Sequence, residues 1–184
     1  IKKTKAKLFY ETRQGYGYAF QKAITRAKGD YVVVCEPDGT FSSEDLEYFL
    51  LYSKKFDVVL GTRTSQIGAL SGTGMGIARK FANVIEAKTI EVLFNSYALT
   101  DVGCAYKLFN RKALKKIIPL WRQKRSPLFN TELILLTVSQ NLKFVEIPVS
   151  YSKRTGYSTI TGRWYQILKW ALIIQIFIIT YWFK

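Results

Sequence analysis

The 184-residue chain contains no histidine. Imidazole acid–base catalysis, Ser-His-Asp and Cys-His nucleophile systems, and His-ligated zinc are therefore excluded. Only two cysteines are present, Cys35 and Cys104, which make neither a disulfide framework nor a CxxC metal pair. A reducing cytosolic setting is the default, with both thiols read as small buried hydrophobes. Acids are scarce too: 13 Asp and Glu stand against 28 Lys and Arg, a net charge of +15. Such a surplus attracts an anion, whether nucleic acid, acidic lipid head groups or a phosphorylated substrate. No RRM, KH or zinc-finger pattern is present, which argues against nucleic acid. No apolar core or small-residue cleavage site follows the basic start IKKTKAK, so no signal peptide is expected. What remains is a chain with 48% hydrophobic and 15% aromatic residues, enough to pack one domain whose chemistry runs on carboxylates, cations and hydroxyls.

Strand-like and helix-like segments alternate. Leu8-Phe9-Tyr10 reads as a short strand, Gln14 to Gly17 as a turn, and Ala19 to Ala27 as a helix with Phe20, Ala23, Ile24 and Ala27 on one face. Tyr31 to Cys35 is an unbroken run of β-formers, expected for a strand covered on both faces, and Glu36-Pro37-Asp38-Gly39 stops it. Ser43, followed by Glu44 and Asp45, reads as a helix start. A buried strand is expected over Asp57–Gly61 and a mobile Gly/Ser-rich loop over 68–76. Further helices are expected over Ile77–Phe94, Leu114–Leu120 and Asn130–Gln140, with strands near Thr100–Phe109 and Lys143–Val149. This order predicts an α/β domain on a mainly parallel sheet, with ligands beyond the strand C-termini, after Cys35, Gly61 and Thr100.

From Trp164 the chain becomes aromatic and aliphatic. Its uninterrupted part, Trp170 to Phe183, is short of the roughly 20 residues that cross a hydrocarbon core. A buried helix, a membrane-associated helix and the start of a span all remain open. Trp164, Trp170, Tyr181 and Trp182 are interfacial residue types, and Lys153, Arg154, Arg163 and Lys169 would meet anionic lipid.

Glu36 and Asp38 are two carboxylates at the end of a buried strand, able to share a divalent cation bound to a diphosphate; a simple turn is the other reading. Arg63, Lys107, Arg111 and Arg154 supply cations that could neutralise phosphate. Arg63 and Arg154 also read as solvated surface charges, and Gly15 and Gly17 as turn residues. Asp101 is a turn or cap, or a base. Lys112 to Arg125 form the densest basic stretch, a solvated or membrane-facing surface.

Taken in order, these motifs resemble the family 2 glycosyltransferases, particularly the dolichyl- and polyprenyl-phosphate sugar synthases. Gln14 to Ala19 is similar to the family's Gly-rich helix start, Ala27-Lys28-Gly29-Asp30-Tyr31 to its A-x-G-D-Y entry, and Glu36-Pro37-Asp38 to its metal-binding D-x-D. Leu60-Gly61-Thr62-Arg63 resembles the G-S/T-R turn, Thr100 to Lys107 the D-x-x-x-G-F-R/K segment, and Glu146-Ile147-Pro148-Val149 with Arg154-x-Gly156-x-Ser158 the last two elements. Glu36 departs from the usual first Asp, and Thr40 is a further candidate at the metal site. The resemblance implies a GT-A three-layer α/β sandwich over residues 1–160, lacking the N-terminal base-binding strand, followed by an apolar membrane-associated helix over 161–184.

It also implies an inverting transfer from a nucleotide-diphosphate sugar to polyprenyl phosphate on the cytoplasmic face of a membrane, with Mg²⁺ or Mn²⁺ on Glu36 and Asp38. Gly15, Gly17, Arg63 and Lys107 would serve the donor, and Lys153, Arg154 and Ser158 the acceptor. Asp38 would carry catalysis through the metal. A saccharide acceptor would need a general base, for which Asp101 is the candidate. Glu132 would match an acid near the acceptor, or lie on a helix surface. A non-catalytic basic module is the third alternative.

Overall fold

The structure is a computed structural model that describes residues 5–64, 76–152, 155 and 164–183. Among these, four strands form one sheet: β1 (Tyr31–Val34), β2 (Val58–Thr62), β3 (Lys107–Asn110) and β4 (Phe144–Pro148), in the order β1-β3-β2-β4. Six helices accompany them: α1 (Tyr16–Arg26), α2 (Leu46–Ser53), α3 (Ile77–Phe94), α4 (Arg111–Ile117), α5 (Phe129–Ser139) and α6 (Trp164–Trp182).

The sheet is mixed rather than mainly parallel. β2 and β4 run parallel, but β3 is antiparallel to both β1 and β2. The path of the chain explains the reversal. Tyr97 meets Phe144 at the start of β4, with ring centroids 5.4 Å apart, whereas Thr100 and Asp101 lie beside Glu146 and Arg63. The chain has thus climbed back to the end where β2 finishes before β3 begins, and β3 can only descend. Asn110 then stops the strand and caps α4, accepting a hydrogen bond from the Ala113 N–H at 2.7 Å.

Alternation along the strands sends side chains to two cores. Val58, Leu60 and Phe109 join the larger one, shared with Ile24, Ile90, Leu114, Leu133 and Ile178 from five of the helices. Val59, Leu108, Ile147 and Val149 join a smaller one closed by Phe49 of α2. One helix on one face and five on the other make three layers. α6 packs on the larger core through Ile174, Phe177, Ile178 and Tyr181, and Gln175 donates to the Thr89 hydroxyl of α3 at 2.8 Å.

Local expectations differ in several places. Cys35, expected to be buried like Cys104, is exposed just past the end of β1. Leu8–Tyr10 forms no strand; the three side chains are exposed and the segment has no ladder partner, so β-propensity alone does not hold it. α2 begins at Leu46, and Asp45 accepts hydrogen bonds from the Ser150 N–H (2.7 Å) and hydroxyl (3.1 Å) instead of serving a first turn begun at Ser43. α1 begins at Tyr16, before Ala19. The loop expected over 68–76 lies outside the described residues except for Gly76.

Candidate active site

β1, β2 and β4 end, and β3 begins, on the same side of the sheet, because Val34 and Leu60 both pair with Lys107. The Glu36–Asp38 turn, Thr62–Arg63, Thr100–Tyr106 and the chain after Pro148 therefore gather at one rim. Both acids of the turn are half-buried. Asp38 Oδ1 accepts from the Thr40 hydroxyl at 2.6 Å and from the Thr40 N–H at 3.1 Å, which fixes the carboxylate's orientation. The same turn is tied to the chain beyond β4. The Thr155 N–H donates to the Asp38 carbonyl (3.0 Å) and the Ser152 N–H to the Thr40 carbonyl (2.8 Å). Ser152 and Thr155 flank Lys153 and Arg154 in sequence; those two and Ser158, expected to bind the acceptor, lie outside the described residues.

Arg63 and Asp101 form a buried fork. Asp101 Oδ2 accepts from Arg63 Nε (2.8 Å) and its backbone N–H (2.9 Å), and Oδ1 from Arg63 Nη2 (2.8 Å). The Gly103 N–H adds a bond to Oδ1 at 3.1 Å. Burial alone would raise the Asp101 carboxyl, but the Arg63 charge and hydrogen bonds outweigh it and hold the group below its ordinary value. A carboxylate held this way is a poor proton acceptor. Leaving either charge of such a pair alone costs about 3–5 kcal/mol. The guanidinium also lies 5.2 Å from the Tyr151 ring centroid, which ties β2 to the segment after β4.

Three residues that were given no role from the sequence complete this wall. Glu146 accepts from the Thr100 hydroxyl (2.6 Å) and the Asp101 N–H (3.0 Å), and burial raises its carboxyl to about 7. The Thr100 hydroxyl in turn meets Thr64 at 2.6 Å and Thr62 at 2.8 Å. From α3, Asn83 Oδ1 accepts from the Gly103 N–H at 2.6 Å, and buried Glu86 is pushed up to about 8 by desolvation and by Asp101. An acid on a buried β-run was the available signal for Glu146. Asn83 and Glu86 lay unmarked in a helical pattern.

Other expected residues sit differently. Lys107 is 1% exposed, so it does not present its ammonium to a surface ligand. Its Nζ donates to the Cys104 carbonyl and to Asn130 Oδ1, and burial lowers it to about 8. Arg111 is bound to the carbonyls of Ala27 and Gly29. Gly15 and Gly17 pack against residues 123–125. Gly15 has φ +151°, and a Cβ at Gly17 would lie 2.4 Å from the Gln123 carbonyl oxygen. Glu132 is fully buried and accepts the N–H groups of Arg122 and Gln123, both at 2.9 Å, so it is not a surface acid. Among the described residues no group of three or more Asp, Glu or Cys side chains gathers to hold a metal. Glu36, Asp38 and the Thr40 hydroxyl are nonetheless the hard oxygen donors that suit Mg²⁺ or Mn²⁺.

An α/β three-layer domain with its acids and cations at one rim of the sheet is the arrangement of the GT-A fold. The family model of glycosyl transferase family 2 matches residues 2–118, more than half of the chain, and the protein belongs to that family. Enzymes of the family generally use a divalent metal. The chain is 24% identical over 159 residues to a dolichyl-phosphate beta-glucosyltransferase of Saccharomyces cerevisiae, covering 80% of this chain and 47% of that protein. It is 26% identical over 156 residues to a dolichyl-phosphate hexose transferase of Haloferax volcanii, covering 84% and 64%. A low-salt glycan biosynthesis hexosyltransferase of the same archaeon is 25% identical over 149 residues, covering 80% and 35%. The chain thus spans less than two thirds of each of these relatives.

Proposed function

We propose that this chain carries the catalytic part of a metal-dependent, inverting glycosyltransferase that moves a hexose from a nucleotide-diphosphate sugar to a polyprenyl phosphate. The commitment of Asp101 to Arg63 carries the choice of acceptor. A sugar hydroxyl must lose its proton to a base, whereas a phosphate oxygen is already ionised and needs only to be positioned. Asp101, the acid expected to serve as that base, is tied up by a guanidinium. The names of the relatives point to the same acceptor.

Glu36 and Asp38 would hold Mg²⁺ or Mn²⁺, which supplies Lewis-acid neutralisation of the leaving diphosphate. Thr40 orients the Asp38 carboxylate for that task. Arg63, held by Asp101 on one side and Tyr151 on the other, is fixed at the rim and is not free to swing. Lys153 and Arg154, with Ser158, would bind the lipid phosphate; Ser152 and Thr155, on either side of the two cations, are bonded to the metal turn, which supports that reading for Lys153 and Arg154. The protein would work on the cytoplasmic face of a membrane, with α6 at the lipid.

The test is sugar transfer to polyprenyl phosphate from UDP- and GDP-sugars, with and without Mn²⁺, by the intact protein that contains this segment. Asp38→Asn should lower metal-dependent transfer by about a hundredfold or more while leaving the fold intact. Metal-dependent donor binding with a saccharide product instead would move the acceptor to a hydroxyl. Anion binding that ignores Mn²⁺ and fades with salt would leave only a basic binding module.

A further inference from the structure

Glu86 is a buried acid to which the chemistry proposed above gives no task. It lies on the inner side of α3, only 4% exposed, and among the described residues none bonds to its carboxyl. The other buried acids among the described residues are all committed. Asp45 holds the Ser150 N–H and hydroxyl, Asp101 is forked to Arg63, and Glu132 accepts the N–H groups of Arg122 and Gln123. A polar group taken out of water without a partner is costly, so its presence beside a site points to a partner that arrives with the ligand.

The neighbours of Glu86 fix where that partner would lie. Asn83 stands one turn earlier on the same face of α3, where residues three apart are adjacent. Its Oδ1 accepts from the Gly103 N–H at 2.6 Å, and its Nδ2 donates to the Arg79 carbonyl at 2.8 Å, so the amide is spent in seating α3 against the turn after Asp101. A Cβ on Gly103 would lie 2.6 Å from Asn83 Oδ1 and 3.0 Å from Arg63 Nη2. The bare glycine thus lets helix and guanidinium close on the same turn. Asp101 is near enough for its charge to help raise the Glu86 carboxyl. Glu86 therefore belongs to the wall of the Arg63–Asp101 fork, with its hydrogen-bonding capacity unused.

We propose that Glu86 is a specificity-determining residue that binds a hydroxyl of the transferred hexose, an assignment that rests on the reading of the chain as binding a nucleotide-diphosphate sugar. Chemistry selects the hydroxyl. The polar groups of such a donor beyond its base are phosphates and hydroxyls, and a carboxylate repels the first. A hydroxyl both donates and accepts, so it pairs with a carboxyl in either protonation state. Burial, which raises Glu86 to about 8, keeps the group neutral near pH 7, with one O–H to give and one C=O to receive. What the site gains is discrimination: a sugar lacking that hydroxyl leaves the buried acid unpaired, a larger penalty than a lost apolar contact.

The experiment measures binding by calorimetry to the intact protein with Mn²⁺ and no acceptor. The probes are UDP-glucose and GDP-mannose, UDP and GDP alone, and the monodeoxy forms of whichever sugar nucleotide binds. The parent should bind one monodeoxy form about tenfold or more weaker than the full sugar. Glu86→Leu fills similar space and removes a buried, unpartnered acid, so it should fold. It should bind the full sugar nucleotide weaker by the same factor, no longer distinguish that deoxy form, and bind the bare nucleotide as the parent does. Glu86→Gln, which keeps a donor and an acceptor, should restore most of the discrimination. Equal weakening of bare nucleotide and sugar nucleotide by Glu86→Leu would overturn the proposal in favour of a structural role. Unchanged binding of every probe would overturn it as well. A parent that binds neither sugar nucleotide would sink the transferase reading, and this assignment with it.

Discussion

Glu86 holds its proton in the folded protein at a pH where an exposed glutamate has lost it. Its carboxyl, desolvated and close to Asp101, is raised from 4.5 to about 8. Below pH 4.5 the group is protonated both folded and unfolded, and its favourable contribution is complete. As pH climbs towards 8 the unfolded chain ionises first, and stability declines by at most about 1.4 kcal/mol per pH unit. Glu146, raised to about 7, adds a slope of the same sign over a narrower window. Glu86→Gln should flatten the stability curve between pH 4.5 and 8. Urea unfolding at pH 4.5, 6 and 8 should show the variant gaining on the parent as pH rises, and equal slopes would refute the assignment. The sequence displayed Arg63 and Asp101 as separate candidates. Their union could not be read there, because it joins residues 38 apart and leaves no local pattern. The same holds for Glu146, whose partners Thr100 and Asp101 lie 46 and 45 positions away.

Elements were more legible than contacts. The apolar runs at Tyr31, Asp57 and Lys143 all became strands, and the 3.6-residue spacing from Ile77 became α3. Strand direction was not legible: Lys107–Asn110 has the same β-forming pattern whether it runs up or down, and the climb of residues 97–106 decides. Where backbones approach closely, the composition of an element is dictated more tightly. At Gly17, the second residue of α1, a methyl group would sit 2.4 Å from the Gln123 oxygen and 2.6 Å from the Lys124 oxygen, both backbone atoms that cannot swing aside. Gly17→Ala should therefore destabilise the protein by about 1–3 kcal/mol despite alanine's better helix propensity. Chemical denaturation measures this, and a variant as stable as the parent would show that residues 123–125 yield.

At the scale of the molecule, α6 is part of the fold and not an appended tail. Ile178 has no exposed surface and belongs to the same core as Leu60 and Phe109. Ile178→Ala should cost about 2–5 kcal/mol, as for other buried aliphatic truncations, seen as a lower urea midpoint with an unchanged slope. An undisturbed midpoint would make α6 an independent tail. The +15 charge, in contrast, was fully visible in the sequence.

The Arg63–Asp101 fork closes a circuit. The chain leaves β2 at Arg63, travels out through α3 and returns at Asp101 before entering β3, so one ion pair ties the neck of the whole excursion. The entropy of closing a loop grows only slowly with its length. Residues can therefore be gained, lost or exchanged between the two partners while the register of β2 and β3 stays fixed. The rim that carries Arg63 and Asp101 and the excursion through α3 are thus free to diversify at different rates, one held by its ion pair and the other bounded only by its packing on the core.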